Sequence, residues 1–229
     1  MDNKNNNFTL ELANTIVNST ADTLIDIGEI GIDSVITDEL IKQFPFAKTI
    51  YSVSKAGIAI REKFLLKKTY IFIKQLSENN VDSVEYEEYK TKLKNNDKYL
   101  FEELERIIII LDRILEPQKA VILANLYSAF INKNLSIQEL QDFYMILDNL
   151  LLNDIQNLKL LYKSERIYNE EKDHKGVTNR LISLGLAYKV SDFLYDKENR
   201  SLALPTTEYK VILTEYGKKF LRNGLLFGS

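Results

Sequence analysis

The apolar positions of residues 8–78 predict a hairpin of two long helices. In the first helix, from about Phe8 to Lys42, four of the acidic residues are spaced by four, three and four positions. This spacing places them in one narrow stripe, so the rest of the circumference is apolar or small. Pro45 ends that helix, and a second one over about 46–77 repeats the wide apolar arc. The four acidic residues are Asp22, Asp26, Glu29 and Asp33.

The pattern of residues 83–164 predicts a bundle of shorter helices. A charged helix over about 83–94 is followed by one that Asp97 caps and that runs to about Leu115. Pro117 opens a third helix, over 117–132, and Ser136 and Glu139 form a capping box for a fourth, over about 137–151. A last helix over about 154–162 completes a helical domain that we place at residues 1–165.

The pattern changes after His174. A short helix ends at Gly185, and strands are predicted over 186–190 and 208–213, with a polar stretch between them. Thr214 then caps a final short helix. The order of helix, strand, long loop, strand and helix is typical of a winged helix. The predicted fold class is therefore mainly α, with a small α+β winged-helix-like domain at residues 166–229.

Two segments of this region carry a resemblance to known families. The segment RLISLGLAY at 180–188 and the segment ILTEYGKKFL at 212–221 resemble the "RLxxLGLI … LTxxGxxFL" pattern of winged-helix domains, over about fifty residues. The whole layout also resembles the abortive-infection alpha family of bacterial and phage-borne proteins. That resemblance implies a role in phage–host conflict or phage defence, and it transfers no catalytic residue to this chain.

Charge is distributed unevenly along the 229 residues, whose formal net charge is −3. Residues 1–44 carry −6 and residues 45–77 carry +6, while 78–164 carry −5 and 165–229 carry +2. One interpretation is that the acidic first segment and the basic second segment pack side by side, because their opposite charges attract. The alternative is that the second segment forms a basic surface for phosphate or anionic lipid. The start MDNKNNN has no signal-peptide pattern, and Lys48 and Lys55 interrupt the longest apolar window, so a cytoplasmic protein is expected.

The sequence offers little for catalysis. Cysteine is absent, which excludes disulfides, thiolate metal sites and cysteine nucleophiles. His174 is the one histidine, which leaves little room for histidine-based metal or triad chemistry. Neither of the common glycine-rich phosphate loops is present. A metal ion held by Glu171, Asp173 and His174 is less expected than a solvated loop there, because three adjacent loop residues rarely face one point. We therefore predict no enzyme, no cofactor and no metal.

One hypothesis is nucleic-acid binding by the winged helix. Its short helix would place polar residues in the major groove while its wing contacts the backbone. A charge of only +2 over residues 165–229 is low for such a module, so a protein-contact or structural wing is the alternative. The residues predicted to contact nucleic acid are Lys175, Thr178, Asn179 and Ser183 on the helix, and Lys189, Lys197 and Arg200 at the wing.

A second hypothesis is that the N-terminal hairpin binds a protein partner, a second copy of the chain or, less favoured, a membrane surface. The alternative is that its apolar arc forms the centre of a helical bundle. The residues predicted to make this contact are Ile27, Gly28, Gly31, Ile60, Lys67 and Lys68. Both hypotheses describe a non-enzymatic protein that acts through macromolecular binding, with a DNA-binding regulator and a membrane-surface effector as its specific forms. No small-molecule substrate is inferred.

Overall fold

A computed structural model of the chain describes residues 2–18, 46, 60–79, 83–95, 97–163, 166–169, 175–191, 195–196, 201–202 and 208–226. These residues are mostly helical, with a small antiparallel sheet in the last third of the chain, which confirms the mainly α class. Contacts divide the chain into an N-terminal unit, Met1–Tyr144, and a C-terminal unit, Met145–Ser229.

The N-terminal unit is built from helices. The described helices of this unit are α1 (Asp2–Asn18), α2 (Ile60–Asn79), α3 (Val84–Lys94), α4 (Lys98–Arg113), α5 (Gln118–Ile131) and α6 (Ile137–Asn149). Helix α6 contributes residues to both units. Helix α2 packs mainly against α5 and also against α4, while α1 packs against α3 and α4. Of the predicted hairpin, residues 19–45 and 47–59 lie outside the described residues.

The helix starts that the sequence predicts in this unit are confirmed by their caps. The Asp97 carboxylate accepts a hydrogen bond from the Leu100 N–H at 3.1 Å. At the start of α6, the Ser136 N–H donates to Glu139 Oε2 at 2.9 Å and the Glu139 N–H donates to Ser136 Oγ at 3.3 Å. Each cap satisfies backbone donors that have no partner within the first turn of a helix.

Lys68 is buried, so its predicted contact with a partner or membrane surface is wrong. Its side chain lies between α2 and the end of α4, where Nζ donates to the Ile114 carbonyl at 2.7 Å and to the Asp112 carbonyl at 3.3 Å. Carbonyl groups at a helix C-terminus lack partners within the helix and attract a cation. The ammonium group therefore caps α4 instead of extending to the surface.

The C-terminal unit combines helices with strands. Its further elements are α7 (Leu152–Lys163), β1 (Arg166–Asn169), α8 (Lys175–Ser183), β2 (Ala187–Ser191), β3 (Tyr195–Asp196), β4 (Ser201–Leu202), β5 (Glu208–Leu213) and α9 (Glu215–Gly224). Strand β5 is central and pairs antiparallel with β1 on one side and β2 on the other, so that Val211 lies opposite both Arg166 and Lys189. The predicted strands at 186–190 and 208–213 are confirmed.

Three strands of this unit were not predicted. Strands β3 and β4 form an antiparallel pair inside the polar stretch between the two predicted strands, with Tyr195 opposite Leu202. Strand β1 has the sequence RIYN, which is too short to show an alternating pattern. All three pair through backbone hydrogen bonds, which leave little trace in the sequence.

The division between the units also differs from the predicted domain boundary at 165/166. Helix α7 packs against α8, β5 and α9, so contacts assign it to the C-terminal unit. Its inner face carries Ile155, Leu158 and Leu161, all buried. An amphipathic helix shows which face is buried, but its sequence does not show which neighbour covers that face.

The two segments that resemble the winged-helix pattern are in direct contact. Gly185 has a φ of +71°, which ends α8 in the left-handed conformation expected of a glycine stop. Thr214 Oγ1 donates to the Gly185 carbonyl at 2.7 Å and accepts from the Gly217 N–H at 2.8 Å. A Cβ on Gly217 would lie 2.1 Å from the Leu186 carbonyl oxygen, so only glycine permits this approach of α9 to the chain before β2.

Candidate nucleic-acid interface

Helix α8 has one buried and one exposed face. Val177 and Leu181 are buried, while Asn179 and Ser183 are exposed, one turn apart. Gly176 is also exposed and extends this line toward the helix N-terminus. Residues spaced by three and four positions lie on the same side of a helix, so these three positions form a polar, uncharged strip.

Thr178 does not belong to this strip. Its exposed fraction is 2%, so the prediction that it faces nucleic acid is wrong. Thr178 lies next to Val177 and one turn from Leu181, within the buried arc of α8. A threonine methyl group packs well in such an arc. The prediction placed Thr178 on the polar face because its hydroxyl is polar.

The other helix residues of the prediction have mixed positions. Asn179 is exposed on α8, and the Ser183 hydroxyl, also exposed, donates to the Arg180 carbonyl at 2.9 Å within its own helix. Lys175 opens α8, but its side chain is outside the described part of the chain. Asn179 is thus the described residue that brings an amide group to the strip.

The wing residues of the prediction are only partly described. Lys189 is exposed on β2, which is an edge strand of the three-stranded sheet, and its neighbour Tyr188 is 45% exposed. Lys197 and Arg200 fall between β3 and β4 in the sequence, outside the described residues. The whole C-terminal unit contains thirteen Lys and Arg against eleven Asp and Glu, a net charge of +2.

Arg180 is the residue of this surface that sequence analysis missed. Its Nε donates to Asp154 Oδ2 at 2.9 Å and its Nη2 donates to Asp154 Oδ1 at 2.7 Å. The Asp154 side chain is fully buried, whereas 39% of the Arg180 side chain is exposed. The hydrogen bond to Asp154 raises the pKa of Arg180, so the guanidinium is held charged between α7 and α8.

A signal for this pair was present in the sequence. Asp154 shares one helix face with Leu158 and Leu161, and a carboxylate on a mainly apolar face needs a cation or several donors. Its partner could not be identified from spacing, because 26 positions separate it from Arg180.

The predicted contact residues of the hairpin do not form a described site. Ile27, Gly28 and Gly31 lie outside the described residues. Ile60 begins α2 and is 76% exposed, while Lys67 is half-buried.

The N-terminal unit also contains a buried carboxyl beside a cluster of tyrosines. Glu103 has a fully buried side chain whose Oε1 accepts from Arg106 and, at 3.3 Å, from Gln141. Its Oε2 is buried and has no hydrogen-bond partner among the described residues. Burial raises the pKa of Glu103. The hydroxyls of Tyr89 and Tyr127 lie 3.0 Å apart in the same unit.

The described residues contain no group of three or more His, Asp or Glu side chains that could hold a metal ion. The described helices are also too short or too polar to cross a membrane. Glu171, Asp173 and His174, where the sequence favours a solvated loop over a metal site, are outside this part of the chain.

Comparison with protein-family models, with curated proteins and with solved structures gives no match to this chain. The resemblances to winged-helix domains and to the abortive-infection alpha family therefore remain predictions from the sequence.

Proposed function

We propose that this chain is a non-enzymatic bacterial or phage protein that acts through macromolecular binding, and that its C-terminal unit binds duplex DNA as a winged-helix-like module. The setting that the sequence resemblance suggests for it is phage–host conflict. Protein contact by the same unit is the alternative that the experiment below distinguishes.

The observation that carries the proposal is the order of elements in the C-terminal unit. A short helix, α8, precedes β2, and the pair β3–β4 is inserted between β2 and the central strand β5. In winged-helix domains the equivalent helix enters the major groove and the inserted hairpin is the wing. The sheet order β1-β5-β2 is compatible with that arrangement.

The exposed chemistry of α8 and β2 supports the same proposal. An asparagine amide both donates and accepts, so Asn179 can pair with the N6 and N7 atoms of adenine in the major groove. Lys189 supplies a cation from β2 for a backbone phosphate. The exposed strip of α8 carries no charge, so its approach to base edges removes no ion from water.

The test is binding of a labelled AT-rich duplex, followed by fluorescence anisotropy at about 100 mM salt. Lys189→Ala is expected to weaken binding to all duplexes by about threefold or more, because it removes one phosphate contact. Asn179→Ala is expected to weaken binding about tenfold on the preferred sequence and to reduce discrimination between sequences.

Two matched controls lie on the exposed side of α7 in the same unit. Lys159→Ala removes an exposed lysine and Gln156→Ala removes an exposed amide, and both are expected to leave the affinity within twofold. Equal losses in all four variants would contradict the proposal. A wild-type chain that does not bind the duplex would assign the unit to protein contact instead.

A further inference from the structure

The guanidinium of Arg180 uses only one of its two edges in the pair with Asp154. A guanidinium carries five N–H groups, and the bonds from Nε and Nη2 occupy two of them. The opposite edge, formed by Nη1 and the second N–H of Nη2, makes no hydrogen bond within the described residues. Three N–H groups therefore remain at a side chain that is 39% exposed.

Gly176 keeps this second edge open. A Cβ on Gly176 would lie 3.4 Å from Arg180 Nη1, so a larger side chain there would contact the free edge. Gly176 is exposed and lies in the first turn of the same helix, one turn before Arg180. The free edge thus borders the strip that contains Asn179 and Ser183.

The position of Arg180 favours a phosphate over a base. Its carboxylate partner Asp154 holds it at the boundary between the buried and exposed faces of α8, while Asn179 lies within the exposed face. When a helix lies in a groove, residues on the middle of its exposed face reach base edges and those at its border reach the backbone. A guanidinium edge binds the two oxygens of a phosphate by parallel hydrogen bonds.

We infer that Arg180 binds a backbone phosphate of duplex DNA through its Nη1–Nη2 edge, and that Asp154 is the positioning residue that presents this edge. This inference rests on the proposed function. The buried carboxylate fixes the side chain before DNA arrives, so little rotamer freedom is lost on binding.

The test compares the full chain with Arg180→Lys by anisotropy on several duplexes of different sequence. Lysine retains the charge and an ion pair with Asp154 but lacks the second planar edge, so binding is expected to weaken about tenfold on every duplex. Arg222→Lys makes the same chemical change at an exposed position of α9 and is expected to change affinity by less than twofold.

A second pair of variants leaves the Arg180–Asp154 pair intact. Gly176→Glu places a carboxylate beside Nη1, where it competes with phosphate, and is expected to weaken binding at least tenfold. Gly176→Gln has the same size without the charge and is expected to stay within about threefold. Both replace a helical glycine at an exposed position, so both are expected to fold.

The outcomes separate this inference from the proposed function. Unchanged affinity in both Arg180→Lys and Gly176→Glu, with a wild type that binds duplex DNA, would overturn the inference and leave the function standing. A loss in Arg180→Lys confined to duplexes with one particular base pair would assign the edge to a base and also overturn it. If Arg180→Lys does not fold, the Gly176→Glu and Gly176→Gln pair decides. A wild type that fails to bind any duplex removes both proposals.

Discussion

Glu103 shows at the scale of one residue how folding changes an ionisable group. The folded chain removes its carboxyl group from water, and one of its oxygens has no hydrogen-bond partner among the described residues. Arg106 and Gln141 donate to the other oxygen, which favours the charged form, but burial outweighs them and raises the pKa of Glu103. The folded state therefore holds this proton to a higher pH than the unfolded chain does.

This pKa predicts the sign of a pH effect on stability. A group that binds its proton more tightly in the folded state contributes most at low pH, and that contribution is lost as pH rises past the unfolded value toward the folded one. Glu103→Gln removes the effect, so the free energy of unfolding of the wild type should fall relative to the variant as pH rises past about 4.3, the ordinary pKa of a glutamate side chain. Urea unfolding of both proteins at several pH values measures this difference.

The comparison with the variant is needed because Asp112 acts in the opposite direction. The hydrogen bond from Arg61 lowers the pKa of Asp112, so its contribution is lost as pH falls. Both proteins share that contribution, and it cancels in the difference. Glu88→Gln, at an exposed position of α3, is the control and should track the wild type. Parallel curves for wild type and Glu103→Gln would contradict the account of the buried carboxyl.

At the scale of elements, the contact between α9 and the chain before β2 depends on Gly217. A Cβ there would lie 2.1 Å from the Leu186 carbonyl oxygen, and that oxygen also accepts from the Thr214 N–H at 3.0 Å. Gly217→Ala should force α9 away and lower the free energy of unfolding by about 2 kcal/mol or more. Thermal unfolding followed by circular dichroism measures the loss.

Gly176→Ala is the matched control for this prediction. It also replaces a helical glycine by alanine, but its Cβ would meet only Arg180 Nη1 at 3.4 Å, at an exposed site. Because alanine favours helix over glycine, it should leave stability unchanged or raise it by up to about 1 kcal/mol. Equal melting temperatures for wild type and Gly217→Ala would show that the close approach does not constrain the fold.

The elements also show what sequence reasoning captured. The capping residues Asp97, Ser136 and Thr214 and the stop at Gly185 act locally, within a few positions of the chain, so the helix ends they predict are confirmed. Strands β1, β3 and β4 depend on pairing with distant segments and were missed. The assignment of α7 to the C-terminal unit likewise follows from long-range packing.

Single side chains were misjudged for the same reason. Lys68 and Thr178 are polar residues that the sequence analysis placed on surfaces, and both are buried. The partners of Lys68 are the carbonyls at the end of α4, more than forty positions away. Arg180 was missed because its charge partner lies on another helix. Tertiary contact, and not local pattern, decides where these groups lie.

At the scale of the whole molecule, the central claim is that the C-terminal unit gives the protein affinity for duplex DNA. The net charge of the unit is only +2, so binding must depend on a few well-placed cations and not on a strongly basic surface. Lys189 and Arg180 are the described candidates, and Asn179 is the candidate for base contact. A small number of phosphate contacts makes a definite prediction for the dependence of affinity on salt.

The most direct measurement is the dissociation constant of the full-length wild type for a labelled AT-rich duplex at about 50 and about 200 mM salt. Two phosphate contacts, from Lys189 and Arg180, predict a loss of affinity of roughly 12-fold between these concentrations. Binding that is absent at the lower salt, or that does not change between the two, would contradict the account.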